Sequence, residues 1–153
     1  MMRLNPTLGE FTFVCQNMRR KSAEELSGLY DWTPEQFARF LHTRAGFHWV
    51  GYCQGFPAAL IGAYPQRHGV WALYGFGTNA WQDIWRTVTV TAKRDMMKAV
   101  SETECWRAEC MSLATHEETH KWLDYLGASH RAEMPRYGRE GQDYILFSWL
   151  KED

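Results

Sequence analysis

The 153-residue sequence lacks a long hydrophobic run, a paired cysteine motif and an excess of charge of either sign. No apolar stretch approaches the roughly 18 to 20 residues that a membrane-spanning helix requires, so we expect no membrane span. The first residues also lack the apolar segment of a signal peptide, so we expect a protein that is not secreted by that route. Cysteines without a Cys-x-x-Cys pair are expected to be reduced, buried thiols. The four are Cys15, Cys53, Cys105 and Cys110.

Charge is close to balanced, with 17 Lys and Arg against 18 Asp and Glu. The basic and acidic residues are interspersed, so the sequence predicts no nucleic-acid partner. Aromatic residues are abundant instead: eight Trp, seven Tyr and eight Phe. They predict an aromatic core and, in addition, an aromatic contact surface. The length suits one domain, and we assign residues 1–153 to it.

Hydrophobic periodicity and turn residues predict the order β-α-α-β-β-β-α-β-α-β-β. Serine or threonine followed three residues later by glutamate or glutamine predicts helix starts at Ser22, Thr33 and Thr115. Gln54 and Gly55 are typical of a tight turn between two strands. We predict strands at 11–15, 47–53, 58–64, 70–76, 106–113, 130–136 and 143–150, and helices near 22–30, 34–45, 81–102 and 116–126.

The C-terminal third carries the clearest family signal. A strand at 106–113 is followed by a capped helix, by Leu126-Gly127-Ala128 and by a final hairpin. Together with the order of elements, this series resembles the GNAT superfamily of acetyl-CoA-dependent N-acyltransferases. The resemblance implies an α/β fold with a mixed, mostly antiparallel central sheet flanked by helices. It also implies that acetyl-CoA lies between the fourth and fifth strands of that sheet.

A second resemblance is narrower. The segment at 137–144, Tyr-Gly-Arg-Glu-Gly-Gln-Asp-Tyr, is similar to a segment of the GNAT-like internal virion proteins of short-tailed bacteriophages. This resemblance implies other phage virion or assembly proteins as partners. It also implies a location in the host cytoplasm, in the phage virion, or in both.

The GNAT resemblance assigns the cofactor to a loop before the long helix. Family members carry Gln/Arg-x-x-Gly-x-Gly/Ala there, and the loop amides with the helix N-terminus bind the pyrophosphate of CoA. The corresponding residues do not match that pattern, and a bulge followed by a turn explains them equally well. His116 begins the helix that borders the cofactor in this family. The candidate cofactor-binding residues are therefore Gly77, Thr78, Asn79, Ala80 and His116.

Catalytic candidates follow from the same resemblance. Leu123 falls where many members carry the tyrosine that protonates the departing thiolate, and leucine has no proton to give. Tyr125 is the nearest alternative, although a shift of two residues turns it to another side of the helix. Glu109 on the predicted strand at 106–113 is the candidate general base, with an ion pair to Arg107 as the alternative interpretation. Ser112 is the third candidate, as a contact in the cleft.

A metal motif is also present. His116-Glu117-Glu118-Thr119-His120 matches His-Glu-x-x-His, which on a helix places two imidazoles on one face to bind zinc. The match lies in the first helical turn, where Thr115 and Glu118 already explain the sequence as a cap. Third-ligand candidates such as His130, Glu133 or Glu140 have no zincin spacing. We therefore expect no metal and keep a zinc hydrolase as a third alternative.

The departures from the GNAT pattern lead to the main hypothesis. A loop without the pyrophosphate pattern, and leucine at the tyrosine position, favour a virion or assembly component with a degenerate acetyltransferase fold. The alternative is an active N-acetyltransferase that uses acetyl-CoA to modify an amine on a protein or small molecule. Such an enzyme would orient the two substrates for direct attack, without a covalent enzyme intermediate.

Overall fold

The computed structural model describes residues 2–152, which form one mixed seven-stranded sheet with helices on both faces. The strands are β1 (Arg3–Leu4), β2 (Phe47–Cys53), β3 (Phe56–Arg67), β4 (Val70–Gly77), β5 (Arg107–Leu113), β6 (His130–Met134) and β7 (Tyr144–Leu150). The helices are α1 (Leu8–Gln16), α2 (Arg20–Ser27), α3 (Pro34–His42), α4 (Trp81–Val90), α5 (Met97–Ser101) and α6 (Glu117–Tyr125). The predicted α/β class with a mostly antiparallel sheet is confirmed.

The strand order is β1-β2-β3-β4-β5-β7-β6, and the β4–β5 pair is parallel while the other neighbours are antiparallel. Gln54 and Gly55 have φ angles of 50° and 83°, and they form the tight turn predicted between β2 and β3. The sequence predicted that the strand after this turn ends at residue 64, but β3 continues to Arg67. The register with β4 shifts between Pro65 and Arg67, and β2 pairs with β3 only as far as Ala63, so Pro65 lies beyond the part of β3 that is paired on both edges.

Helices pack on both faces of the sheet. On one face, which we call the α4 face, a core cluster joins Ile61 and Leu73 of the sheet to Val88 of α4. On the opposite α3 face, Phe11 of α1 and Leu41 of α3 pack on Leu60 and Phe76. Residues alternate between the faces along each strand, so neighbours in the sequence contribute to different cores. The meander β2–β4 is therefore buried on both sides.

The strand predicted at residues 11–15 was wrong: these residues lie in helix α1. Thr7 is the N-cap, and its side chain accepts a hydrogen bond from the Glu10 amide at 3.1 Å. The Glu10 carboxylate in turn accepts from the Thr7 amide at 2.8 Å. This capping box starts a helix whose residues Phe11 and Val14 face the core, so β propensity gives way to burial and capping.

The predicted helix starts have mixed outcomes. Thr33 caps α3 as predicted, with Gln36 completing the capping box. Ser22 instead lies inside α2 and is buried, and Arg19 takes the N-cap position without a side-chain hydrogen bond. α6 begins one residue later than predicted, with His116 rather than Thr115 at its N-cap. Gly127 ends that segment with a φ of 101°, as its predicted role requires.

The helix predicted at 81–102 is present as three consecutive segments. α4 continues into a π-helical stretch, Thr91–Met96, and then into α5. Ala92 and Met96 of the π-helical stretch are buried against the sheet. No helix within residues 2–152 combines the length and the apolar composition that crossing a membrane demands.

The four cysteines carry free thiols, as predicted. Cys15 and Cys105 are buried as predicted, whereas the predicted burial was wrong for Cys53 and Cys110, which are partly exposed. Burial raises the pKa of both Cys15 and Cys110 to about 12. These two thiols therefore stay protonated at neutral pH and are poor nucleophiles.

The buried carboxylate of Glu10 links the N-terminal residues to the sheet through hydrogen bonds. Glu10 accepts hydrogen bonds from Arg3 of β1 and from Tyr52 of β2, as well as from the Thr7 amide. Burial alone would raise the pKa of Glu10, but these donors outweigh it and lower the pKa from 4.5 to about 2. The ionised form of Glu10 is therefore favoured by folding.

This pKa shift predicts how stability depends on pH. The stabilisation by ionised Glu10 is fully present above the unfolded pKa of 4.5 and is lost as pH falls towards about 2. We expect Glu10→Gln to be less stable than the wild type at pH 7, with the difference shrinking between pH 4.5 and 2. Urea unfolding at pH 7, 4 and 3 measures this. A difference that stays constant with pH would contradict the assigned role.

Candidate active site in the cleft between β4 and β5

A cleft opens where the two parallel strands separate. Within the described chain, β4 and β5 pair at three positions, Val70 with Arg107, Trp71 with Ala108 and Ala72 with Glu109. Beyond Ala72 the strands diverge, and a cavity of about 1430 Å³ lies between them. Its walls come from both faces of the sheet, including α2 and α3 on one side and α4 and α6 on the other. The cavity therefore connects the two faces through the sheet.

The divergence leaves backbone groups available at the cleft. Residues 73–77 of β4 pair with β3 on one edge, and residues 110–113 of β5 pair with β7 on one edge. Their other edges face each other across the cavity. Gly75 lies within β4 rather than at its end, and it is exposed although its strand is central. Because glycine has no side chain, a ligand in the cleft can approach the main chain of β4 closely at Gly75.

Aromatic residues line the cleft on the α4 face. Trp122 of α6 packs edge-on against Trp81 with ring centres 5.9 Å apart, and its indole nitrogen donates to the Thr89 hydroxyl at 2.9 Å. Its ring also lies beside Gly75 of β4. The guanidinium of Arg19 sits 5.4 Å from the centre of the Trp81 ring. Trp122 thus connects α6 to both α4 and β4 at the wall of the cleft.

Glu109 lies in the floor of the cleft on the α3 face. Its carboxylate accepts a hydrogen bond from Arg107 Nε at 2.8 Å, and Arg107 also donates to the Ser148 hydroxyl at 2.8 Å. The Glu109 side chain keeps 21% of its surface accessible and lines the cavity. The ion pair foreseen as an alternative to the catalytic role is present, and it leaves the carboxylate within reach of a ligand.

The other two predicted catalytic residues lie apart from Glu109. Ser112 is fully buried and its hydroxyl has no hydrogen-bond partner among the described residues, and it does not line the cavity. Tyr125 is 59% exposed at the end of α6, where it lines the outer part of the cleft. The Lys93 ammonium lies 3.9 Å from the centre of its ring. The structure therefore does not bring the three predicted residues together.

Several backbone amides at the predicted cofactor loop already donate hydrogen bonds within the protein. The amide of Thr78 donates to the Ala58 carbonyl at 2.9 Å, and the amides of Ala80 and Trp81 donate to Thr78. Thr78, Asn79 and Ala80 line a separate cavity of about 350 Å³, while Trp81 lines the main cleft. The Gly77 carbonyl accepts from the Arg19 amide at 2.8 Å, which joins the loop to the start of α2.

His116 is buried at the start of α6 and pairs with α2. Its Nδ1 lies 2.7 Å from a carboxylate oxygen of Glu25, and its Nε2 lies 3.8 Å from Glu24. Glu25 lines the cleft, whereas His116 lies behind it and does not line the cavity. The contact joins residues 91 positions apart, which sequence spacing does not reveal.

The His-Glu-x-x-His match does not form a metal centre. His120 Nε2 lies 2.9 Å from the Leu113 carbonyl, whereas His116 faces Glu25. Within residues 2–152, no group of three His, Cys, Asp or Glu side chains is arranged to hold a metal ion. The two imidazoles instead anchor α6 to β5 and α2. These contacts leave the zinc-hydrolase alternative without a ligand set in the described residues.

Known proteins resemble this chain in structure rather than in sequence. No protein-family model matches the sequence, and no curated protein matches it significantly. Solved structures do match: a ribosomal-protein-alanine N-acetyltransferase from Brucella melitensis superposes with a TM-score of 0.74, at 12% identity, over 99% of each chain. The fold is that of the GNAT acetyltransferases. A GNAT-family acetyltransferase from Bacillus anthracis gives a TM-score of 0.68 at 9% identity, covering 99% of this chain and 96% of its own.

A third solved structure contains ligands. Spermidine N-acetyltransferase from Vibrio cholerae, in complex with CoA and spermine, superposes on the GNAT fold of this chain with a TM-score of 0.70. Its sequence is 12% identical, and the match covers 97% of this chain and 95% of that one. At such identities the likeness establishes the fold.

The main functional hypothesis from the sequence is corrected by these structural matches. It held that the chain is a virion or assembly component with a degenerate GNAT fold. The three solved structures named above are bacterial acetyltransferases, and none of the three is a phage virion protein. The departures at the loop and at Leu123 were given too much weight, because the chain adopts the GNAT fold in spite of them.

Sequence reasoning missed several residues of the cleft. Tyr64, Gly75 and Trp122 all line it, but each belongs to an element whose contacts are set by strand register or helix packing. A glycine within a predicted aromatic strand was a usable signal for Gly75. Glu25 belongs to a predicted capping box, and no local pattern connects it to His116.

Proposed function

We propose that this protein is an N-acetyltransferase that transfers the acetyl group of acetyl-CoA to an amine. The observation that carries the proposal is the separation of β4 from β5 around a cavity of about 1430 Å³ that is lined from both faces of the sheet. Such a passage lets two substrates approach each other from opposite sides. The named N-acetyltransferases with this fold support the same interpretation.

Residues of the cleft suit a bound acyl-CoA in two respects. The unpaired edges of residues 73–77 and 110–113 offer main-chain donors and acceptors to the amide groups of its pantetheine arm. The cations Arg19, Arg86 and Lys121 line the same cleft and suit its phosphates. Gly77, Thr78, Asn79, Ala80 and His116 stay predicted cofactor contacts. Because the amides of Thr78, Ala80 and Trp81 already donate within the protein, more of the phosphate binding is left to side chains.

Acetyl-CoA supplies the acetyl group and a thiol leaving group when it is bound. The amine nitrogen forms a bond to the carbonyl carbon as the carbon–sulfur bond breaks, giving an amide and free CoA. Glu109 is the proposed acceptor of the proton that the amine loses, because its carboxylate lines the cleft on the α3 face. Tyr125 stays the predicted donor of a proton to sulfur, and Ser112 stays a predicted contact.

The thiol that lines the cleft favours direct transfer of the acetyl group to the amine over transfer through a covalent acetyl-enzyme. Cys110 lines the cleft, but burial raises its pKa to about 12, so it stays protonated at neutral pH. The proposed role of the protein is therefore to orient the amine and the thioester, to exclude water and to hold a base at Glu109.

Acetyl-CoA binding is the first test. At about one hundred times its dissociation constant, acetyl-CoA is expected to stabilise the protein by about 2.7 kcal/mol, measured by thermal unfolding. We expect Gly75→Leu to abolish this stabilisation, because the new side chain projects into the cleft beside Trp122. Release of free thiol in the presence of an amine then measures transfer.

Ala132→Leu is the matched control. Ala132 is an exposed strand residue of β6 outside the cleft, so the same leucine there is expected to leave acetyl-CoA stabilisation unchanged. The proposed function fails if acetyl-CoA does not stabilise the wild type and no amine in a broad panel is acetylated.

A further inference from the structure

The amine-binding half of the cleft has a distinct composition. On the α3 face, strand register places three residues in one row across neighbouring strands: Tyr64 of β3 pairs with Ala72 of β4, and Ala72 pairs with Glu109 of β5. All three line the cavity. Neighbouring strands lie about 4.8 Å apart, so the row spans about 10 Å from the tyrosine to the carboxylate. The small side chain of Ala72 leaves open space between them.

Aromatic side chains continue this row towards solvent. The ring of Phe40 in α3 lies 5.8 Å from the ring of Tyr64, and Trp32 lies 5.0 Å from Phe40. Tyr30 stacks on Trp32 at 4.7 Å. Tyr30 and Trp32 are 39% and 41% exposed. Tyr30, Phe40 and Tyr64 line one side of the cleft as an aromatic wall, and Trp32, which does not line the cavity, packs on both Tyr30 and Phe40.

The aromatic wall carries no charge at neutral pH. Burial raises the pKa of Tyr64 to about 12 and also raises the pKa of Tyr30, so both phenols stay protonated. An uncharged aromatic surface favours apolar and aromatic groups, which stack or pack edge-on against its rings.

The carboxylates of the cleft are already paired. Glu109 pairs with Arg107 at 2.8 Å and Glu25 with His116 at 2.7 Å, while Glu118 lies 3.6 Å from Lys21. Four cations also line the cavity: Arg19, Lys21, Arg86 and Lys121. A polyamine carries several positive charges along its length, and four cations against three carboxylates at the cavity oppose its binding.

We propose that the acetyl acceptor is a primary amine attached to an aromatic or similarly large apolar group. That group would lie over Ala72 against Phe40 and Tyr64, with the amine at Glu109. The inference rests on the proposed acetyltransferase function and specifies its acceptor. The same chemistry is found in a free arylalkylamine and in a peptide that begins with phenylalanine.

A substrate comparison tests the proposal. With saturating acetyl-CoA, kcat/KM is measured for 2-phenylethylamine, ethylamine, spermidine and a short peptide with N-terminal phenylalanine. We expect 2-phenylethylamine or the peptide to exceed both ethylamine and spermidine by at least about tenfold, and the better of the two identifies the source of the amine.

A pair of phenylalanine variants localises the effect. Phe40→Ala is expected to lower kcat/KM for the preferred aromatic amine about tenfold while leaving ethylamine and the dissociation constant of acetyl-CoA unchanged. Phe13→Ala is the control, because Phe13 is also partly buried and stacks on Phe56 at 5.8 Å, outside the main cleft. It is expected to leave all four substrates unaffected.

The outcomes separate the two proposals. Acetylation with a preference for spermidine, or kcat/KM values for both 2-phenylethylamine and the peptide that do not exceed that for ethylamine, overturns the aromatic acceptor and leaves the acetyltransferase intact. Equal losses for Phe40→Ala and Phe13→Ala also overturn it. If acetyl-CoA does not bind and no amine is acetylated, both proposals fail.

Discussion

Glu109→Gln is expected to lower kcat for acetyl transfer by at least about 100-fold, with little change in the dissociation constant of acetyl-CoA. A positioned general base contributes about 10²- to 10⁴-fold to a reaction that requires proton transfer, and glutamine has the shape of glutamate without its basicity. Glu109 is the proposed base because it lines the cleft beside Ala72, on the side opposite α4 and α6. The measurement is thiol release as a function of amine concentration.

The size of this effect depends on Arg107 as well. Arg107 donates to both Glu109 and Ser148, so the amide of glutamine can still accept its hydrogen bond. We therefore expect the variant to fold and to bind acetyl-CoA, which places its loss in kcat. Glu133→Gln is the control, since Glu133 is exposed on β6 and does not line the cleft. Equal activity of the Glu109 and Glu133 variants would exclude Glu109 as the base.

Phe11→Ala is expected to lower the free energy of unfolding by about 3–5 kcal/mol. Removal of a buried aromatic ring loses its transfer free energy and leaves a cavity that the core fills incompletely. Phe11 is 1% exposed, and its ring packs edge-on against His42 of α3 and His48 of β2. Urea unfolding at neutral pH measures the change.

Phe13 lies on the same helix and provides the comparison. It is partly buried and stacks on Phe56, which is 62% exposed, so Phe13→Ala is expected to cost less than about 1.5 kcal/mol. If residues 11–15 formed a strand, its side chains would alternate between two faces, and Phe11 and Phe13 would lie on the same face. Similar losses for both variants would therefore contradict the helical packing of α1.

The elements that local rules determine were predicted well. Gln54-Gly55 and Gly127 adopt positive φ angles that their residue types favour, and Thr33 with Gln36 forms the expected capping box. Each depends on residues within a few positions of one another. The failures were also local, since Ser22 matched a capping box but lies inside α2. A capping-box pattern identifies candidate helix N-termini, and the burial of one helix face decides which of them begins a helix.

By itself, the sequence determined the class of fold, the order of its later elements and the identity of Glu109 as a candidate base. Tertiary structure alone decided which groups surround it. The row Tyr64, Ala72 and Glu109 exists because strand register aligns residues from three strands, and Glu25 meets His116 across 91 positions. Register and helix docking depend on the packing of the whole sheet, so no local pattern encodes them.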